Sequence, residues 1–181
     1  EKAKGFDQPD LKEFFQWGQF HAHGQVYADN VEVAEWPQLI AEVRDAFELL
    51  EYTGRQLLKA IALYLGLDEN WFEPYVLGGN SILRALHYPP ITQAPNDAVR
   101  AAAHEDINLI TLLIGASADG LELLSASGDW IPVHVEDSHL VINVGDMLQR
   151  LTNNNLRSTT HRVVNPPVAK WGIPRFSIPF F

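Results

Sequence analysis

Between Pro37 and Gly66 the apolar residues Leu39, Ile40, Val43, Phe47, Leu50, Leu57, Leu58, Ile61 and Leu65 recur every three or four positions. Glu42, Arg44, Asp45, Glu48, Glu51, Arg55 and Lys59 fill much of the remainder. This period predicts one long helix over 37–66. Pro37 suits its first turn, where a missing N–H costs nothing. Gly54 is a tolerated weak point and Gly66 the stop signal. Asp68 is expected to cap a second short helix running through Trp71 and Phe72, with both rings turned inward. Residues 1–35 are irregular, broken at Gly5, Pro9, Gly18 and Gly24, with one amphipathic turn over 10–15.

After Gly78-Gly79 the period changes to two. Strands are expected at 81–88, 108–114, 120–124, 130–135, 139–144, 157–164 and 174–181. Pro89-Pro90 ends the first of them. Residues 91–103 read as a polar loop, and 118–120 and 127–129 as turns. A short helix over 147–152 takes Asp146 as its cap and stops at Asn153-Asn154-Asn155. Helices first and many short strands afterwards predict a mostly β fold with flanking helices around a jelly-roll (double-stranded β-helix) core. An open α+β arrangement is the alternative. Residues 1–79 would form a loop and helical support region and 80–181 the jelly-roll core, integrated into one domain.

Composition narrows the partners. The 181 residues carry a formal charge of −10, from 13 basic and 23 acidic side chains. That balance lacks the basic footprint that nucleic acid requires. The acids concentrate in 29–73, the solvated face of the helical part. With no cysteine, disulfides, thiolate metal sites and cysteine nucleophiles are excluded. There is no run of 18 apolar residues and no basic leader, so the expectation is a cytoplasmic protein with no membrane partner. The chain starts at Glu1 and stops within the apolar run 178–181, so both ends are expected to be incomplete.

Three pieces of the second half carry chemistry. His104 and Asp106 stand two residues apart, on one face of an extended segment. His161 supplies a second imidazole far along the chain. Two imidazoles and one carboxylate occupy one face of a metal and leave the other open. That ligand set is expected for non-haem iron(II) that also binds a cosubstrate and dioxygen. Arg175 can anchor an acidic cosubstrate, with Ser177 on the same strand face. Zinc hydrolysis is disfavoured because no glutamate is placed as a base. Glu105 is expected to face away from the ligands, as is Arg162. Asn143 and Arg84 are expected to be structural, and His21 and His23 to be loop residues without a metal.

The segments 83–90, 104–106, 120–123, 130–133, 143–146, 158–163 and 175–181, in that order, resemble the iron(II)- and 2-oxoglutarate-dependent oxygenases of the isopenicillin N synthase-like superfamily, bacterial members among them. The resemblance implies that His104, Asp106 and His161 are the iron ligands. It implies that Arg175 and Ser177 hold the distal carboxylate of 2-oxoglutarate, with Tyr88 as a further contact. The cofactors would be Fe(II), 2-oxoglutarate and O2. The activity would be a dioxygenase coupling oxidative decarboxylation of 2-oxoglutarate to oxidation, most often hydroxylation, of a small organic substrate. An iron-dependent oxidase that does not use 2-oxoglutarate, and a non-catalytic jelly-roll binding module, are the alternatives. Two departures stand out. Leu86 replaces an asparagine found in plant members, and the span from His161 to Arg175 is longer, with 165–172 as a loop. Family members also extend beyond both ends of this chain.

Overall fold

The computed structural model describes residues 8–21, 27–134, 136 and 138–181. His23 lies outside them, as does the end of the strand expected over 130–135. The chain forms two compact units, one of residues 16–84 with Phe180, the other of the described residues up to Phe15 with 85–179 and Phe181.

The first unit is built on helix α1, Leu39–Tyr64. Its buried stripe is Val43, Phe47, Leu50, Gly54, Leu58 and Ala62, the spacing that puts one face of a helix inward. Gly54 therefore sits in the packed face. Phe47 meets Phe20 edge-on at 5.3 Å. The helix starts later than the pattern suggested: Gln38 is its cap, and Pro37 belongs to a turn closed by Leu39 N–H to the Trp36 carbonyl at 3.1 Å. Gly66 does end it, at φ +72°. Its N–H donates to the Leu63 carbonyl and that of Leu67 to Ala62, the paired closure of a Schellman motif. Asp68 accepts the Asn70 N–H at 2.9 Å and so caps a turn. Helix α2 begins only at Glu73–Val76. A helix started at Asp68 would put Pro74 in its interior and lose a backbone hydrogen bond, whereas the later start puts it in the first turn. Phe72 is buried and Trp71 half-buried beside it.

The two sheets follow the jelly-roll order. One runs β1 (Glu13–Trp17), β2 (Leu83–Tyr88), β9 (Arg175–Phe180), β4 (Ile110–Ile114), β7 (Leu140–Val144). The other runs β3 (Ala101–His104), β8 (His161–Val163), β5 (Leu121–Leu124), β6 (Trp130–Pro132). Tyr88, Ala101, Leu121 and Val163 make a buried core, with Leu86, Leu113 and Val133 packed on it. Leu86 thus serves as packing where plant enzymes place an amide.

Four local expectations change. Residues 13–17 form an edge strand where an amphipathic turn was expected. β3 begins inside the expected polar loop and runs on to His104. Its three alanines have weak strand propensity, and pairing with β8 makes the strand. Helix α3 is Asp146–Leu151 with Gly145 as N-cap. Asp146 falls in its first turn, and its carboxylate takes the Arg150 Nε at 3.1 Å. The span 165–172 contains a 3-10 turn, Val168–Lys170, and Trp171 Nε1 donates to the Pro166 carbonyl. Among the described residues no helix is long and apolar enough to cross a membrane.

Candidate metal centre

His104 and His161 become neighbours because β3 and β8 pair antiparallel with those two residues opposite each other. The register shifts between Ala101, which faces Val163, and His104. A regular ladder would have set residue 103 against His161; the irregularity brings His104 there instead. The two rings lie 4.4 Å apart at their centroids. Asp106 follows just beyond the strand. Its Oδ1 is 3.9 Å from His104 Nε2 and 3.8 Å from His161 Nε2. One donor atom from each residue lies within 4.8 Å of the others.

Each donor is oriented by a second contact. His104 Nδ1 donates to the Ala102 carbonyl at 2.8 Å, and His161 Nδ1 to the Thr159 carbonyl at 3.1 Å. Both bonds fix the proton on Nδ1 and turn the Nε2 lone pair toward Asp106. Asp106 is 7 % exposed. Its Oδ2 accepts Thr111 Oγ1 at 2.6 Å and Asn143 Nδ2 at 2.9 Å. Asn108 Nδ2 in turn donates to Thr111 Oγ1 at 2.9 Å. Oδ1 alone is left facing the rings. With both rings in the neutral form, two acceptors and one anionic oxygen point at one another and no donor stands between them. Such a set is reconciled by a cation, so these residues fit a divalent metal. Glu105 is occupied elsewhere, accepting Thr160 Oγ1 at 3.0 Å. Arg162 is bonded to Glu122 and stacked over Trp130 at 3.9 Å.

Burial, and then the charge of His161, holds His104 below the ordinary imidazole pKa, against the opposing pull of the Ala102 bond and Asp106. The neutral, ligating form is favoured. The folded chain binds this proton less readily than the unfolded chain does. Metal-free protein is therefore expected to keep this stability above about pH 6.5 and lose it as pH falls through the interval below. Thermal melts across that interval should show a shallower pH slope for His104→Gln.

Arg175, Ser177 and Tyr88 also come together. Arg175 is 1 % exposed. Its Nε donates to the Ala118 carbonyl at 3.0 Å and its Nη1 to Ser177 Oγ at 3.3 Å. The guanidinium lies over the Tyr88 ring at 5.0 Å. Burial lowers its pKa and the Tyr88 neighbourhood opposes that; a guanidinium remains charged regardless.

Sequence reasoning missed Thr111, Asn108 and the Asn143 contact. The signal was present. Thr111 and Asn143 are polar residues inside two apolar strands, and they face each other in the β4–β7 ladder.

A family model described as the 2OG-Fe(II) oxygenase superfamily matches residues 79–181. A 2-oxoglutarate-Fe(II) type oxidoreductase, hxnY, of Emericella nidulans is 32% identical, over 96% of this chain and 52% of its own length. The crystal structure of a 2OG-Fe(II) oxygenase family protein from Caulobacter crescentus is 49% identical, with a TM-score of 0.86 over 100% of this chain and 60% of that one. A Neurospora crassa protein, crystallised at full length with alpha-KG and thymine, is 32% identical, with a TM-score of 0.84 over 96% of this chain and 54% of that one. The chain spans about half the length of the curated relatives it matches.

Proposed function

The chain belongs to the 2OG-Fe(II) oxygenase superfamily, and on that premise we propose that the whole protein is an iron(II) dioxygenase consuming 2-oxoglutarate and O2 to oxidise, typically hydroxylate, a small organic substrate. The convergence of His104, Asp106 and His161, with no fourth ligand-type side chain in the group among the described residues, is the observation that carries this reading. These three would hold the iron. Bound there with 2-oxoglutarate and O2, the metal supplies oxidative decarboxylation of the cosubstrate coupled to oxidation of the substrate. In this reading residues 80–181 are the catalytic core and 1–79 its support, and the protein works in the cytoplasm.

The chain's own residues do the positioning. Ala102 and Thr159 keep both imidazoles in the ligating tautomer. Thr111 and Asn143 engage one carboxylate oxygen, so Asp106 offers the metal the other and leaves positions free for exogenous ligands. Arg175 and Ser177, with Tyr88 beside them, would receive the distal carboxylate in a charge-assisted contact. Thymine in the Neurospora crassa complex is a small polar molecule, which supports a small-molecule substrate for this protein too.

The test is Arg175→Gln. Titrating manganese-loaded protein with 2-oxoglutarate should show affinity about 10- to 100-fold lower in the variant, as expected for losing a charge-assisted contact. Unchanged affinity would remove Arg175 as the anchor. Turnover with iron and O2 but no 2-oxoglutarate would point to the oxidase alternative instead.

A further inference from the structure

A second arginine, Arg100, lies outside the site described above. It is 1 % exposed, as deeply buried as Arg175. Both arginines line one cavity of about 670 Å³ in the second unit. Arg100 Nη2 donates to the Ile173 carbonyl at 2.9 Å. Its Nε finds no acceptor among the described residues. No carboxylate of the described residues lies within ion-pair distance of either guanidinium. Two acids share the cavity wall, and both are engaged elsewhere. Glu122 is bonded to Arg162 at 2.7 Å, and Asp119 is an exposed partner of His134 at 3.3 Å.

Two buried like charges around one space, one with an unmade hydrogen bond and neither in an ion pair among the described residues, are unfavourable in the chain alone. The Arg100 charge contributes to lowering the Arg175 pKa, an effect that Tyr88 and the more distant Asp119 oppose. A guanidinium left in this state is complemented by an oxyanion that accepts from its fork of donors. Lys170, also on the wall, adds a third cation, so an entering anion meets a net positive lining.

We propose that Arg100 and Arg175 together bind one carboxylate group in this cavity, with Arg100 as a ligand-anchoring residue in its own right. The carboxylate comes from one of two sources: the distal end of the metal-bound cosubstrate, or a separate small carboxylate that needs no metal. The first rests on the function proposed above, and the second does not.

Calorimetric titrations with 2-oxoglutarate and with succinate separate them, using manganese-loaded wild type, Arg100→Gln, Arg100→Lys and the metal-site variant His161→Ala. If the carboxylate is the cosubstrate's, Arg100→Gln weakens 2-oxoglutarate at least about tenfold, Arg100→Lys recovers part of the loss, and His161→Ala binds no succinate. If it is a separate anion, succinate binds wild type and His161→Ala alike and is lost in Arg100→Gln. Should Arg100→Gln fail to fold, comparing succinate with its neutral diamide on wild type and Arg100→Lys reads the same charge requirement. The proposal is overturned if both anions bind Arg100→Gln as they bind wild type. Arg175→Gln losing 2-oxoglutarate beside an unaffected Arg100→Gln overturns it while leaving the proposed function standing. Wild type that binds neither anion overturns both.

Discussion

Asp106→Asn is expected to abolish metal binding and turnover while leaving the metal-free protein as stable as wild type or more so. The amide keeps the shape of the carboxylate. Thr111 and Asn143 both donate to the Oδ2 position, so the amide oxygen turns to them. Its NH2 then occupies the place of Oδ1 and faces the two Nε2 atoms. A donor now stands where the metal needs an acceptor. The expected loss of activity is at least about a thousandfold, roughly 4 kcal/mol of transition-state stabilisation. In the metal-free protein the same NH2 can donate to an imidazole, a gain of about 1 kcal/mol. For a chain of this size that raises the melting temperature by about 2–4 °C. Melting curves with and without metal read both signs. A variant that still gained stability on adding iron would contradict the placement of Asp106.

Gly145→Ala carries the second large effect, and it acts through space, not through φ. Gly145 has an ordinary extended backbone, with φ −95°. A Cβ there would overlap Asn108 Oδ1 and the Asn108 carbonyl. The carbonyl is fixed, since it accepts the Met147 N–H at 3.1 Å, and the Oδ1 atom is already buried without a partner. Asn108 must therefore move, and with it the chain of contacts from Asn108 to Thr111 to Asp106. The expected cost is about 3 kcal/mol, the upper part of the range for forcing volume into a packed site. Displaced support of a metal ligand typically lowers metal affinity about 10- to 100-fold. Thermal melts measure the first effect and metal titration the second. A milder change, Thr111→Ser, keeps the hydroxyl and should keep the metal.

The long helix and most strands were legible in the sequence because each rests on local information, whereas His104, Asp106 and His161 were brought together by the resemblance of the chain's segments to a family. Alternation placed β4 and β7 within two residues of their observed starts, and Gly66 marked the end of α1. What stayed hidden depends on distant partners. β3 is a run of alanines that becomes a strand only against β8. The register shift that brings His104 opposite His161 is a property of the pair. Asp68 looked like a helix cap until Pro74, farther along, is counted against that start. Arg100 gave no signal at all: a lone arginine before three alanines reads as surface, and only the assembled barrel shows it buried.

The donor set of the candidate metal centre also bears on how the protein is handled. Neutral imidazoles and a single carboxylate accept zinc, cobalt, nickel and copper as readily as iron, and later first-row ions bind such donors more tightly. The metal found after purification will record what the growth medium and the chromatography resin supplied. Nickel-affinity capture risks loading an inert ion into the site. Reconstitution under anaerobic conditions from chelator-stripped protein is the preparation from which an assay should start.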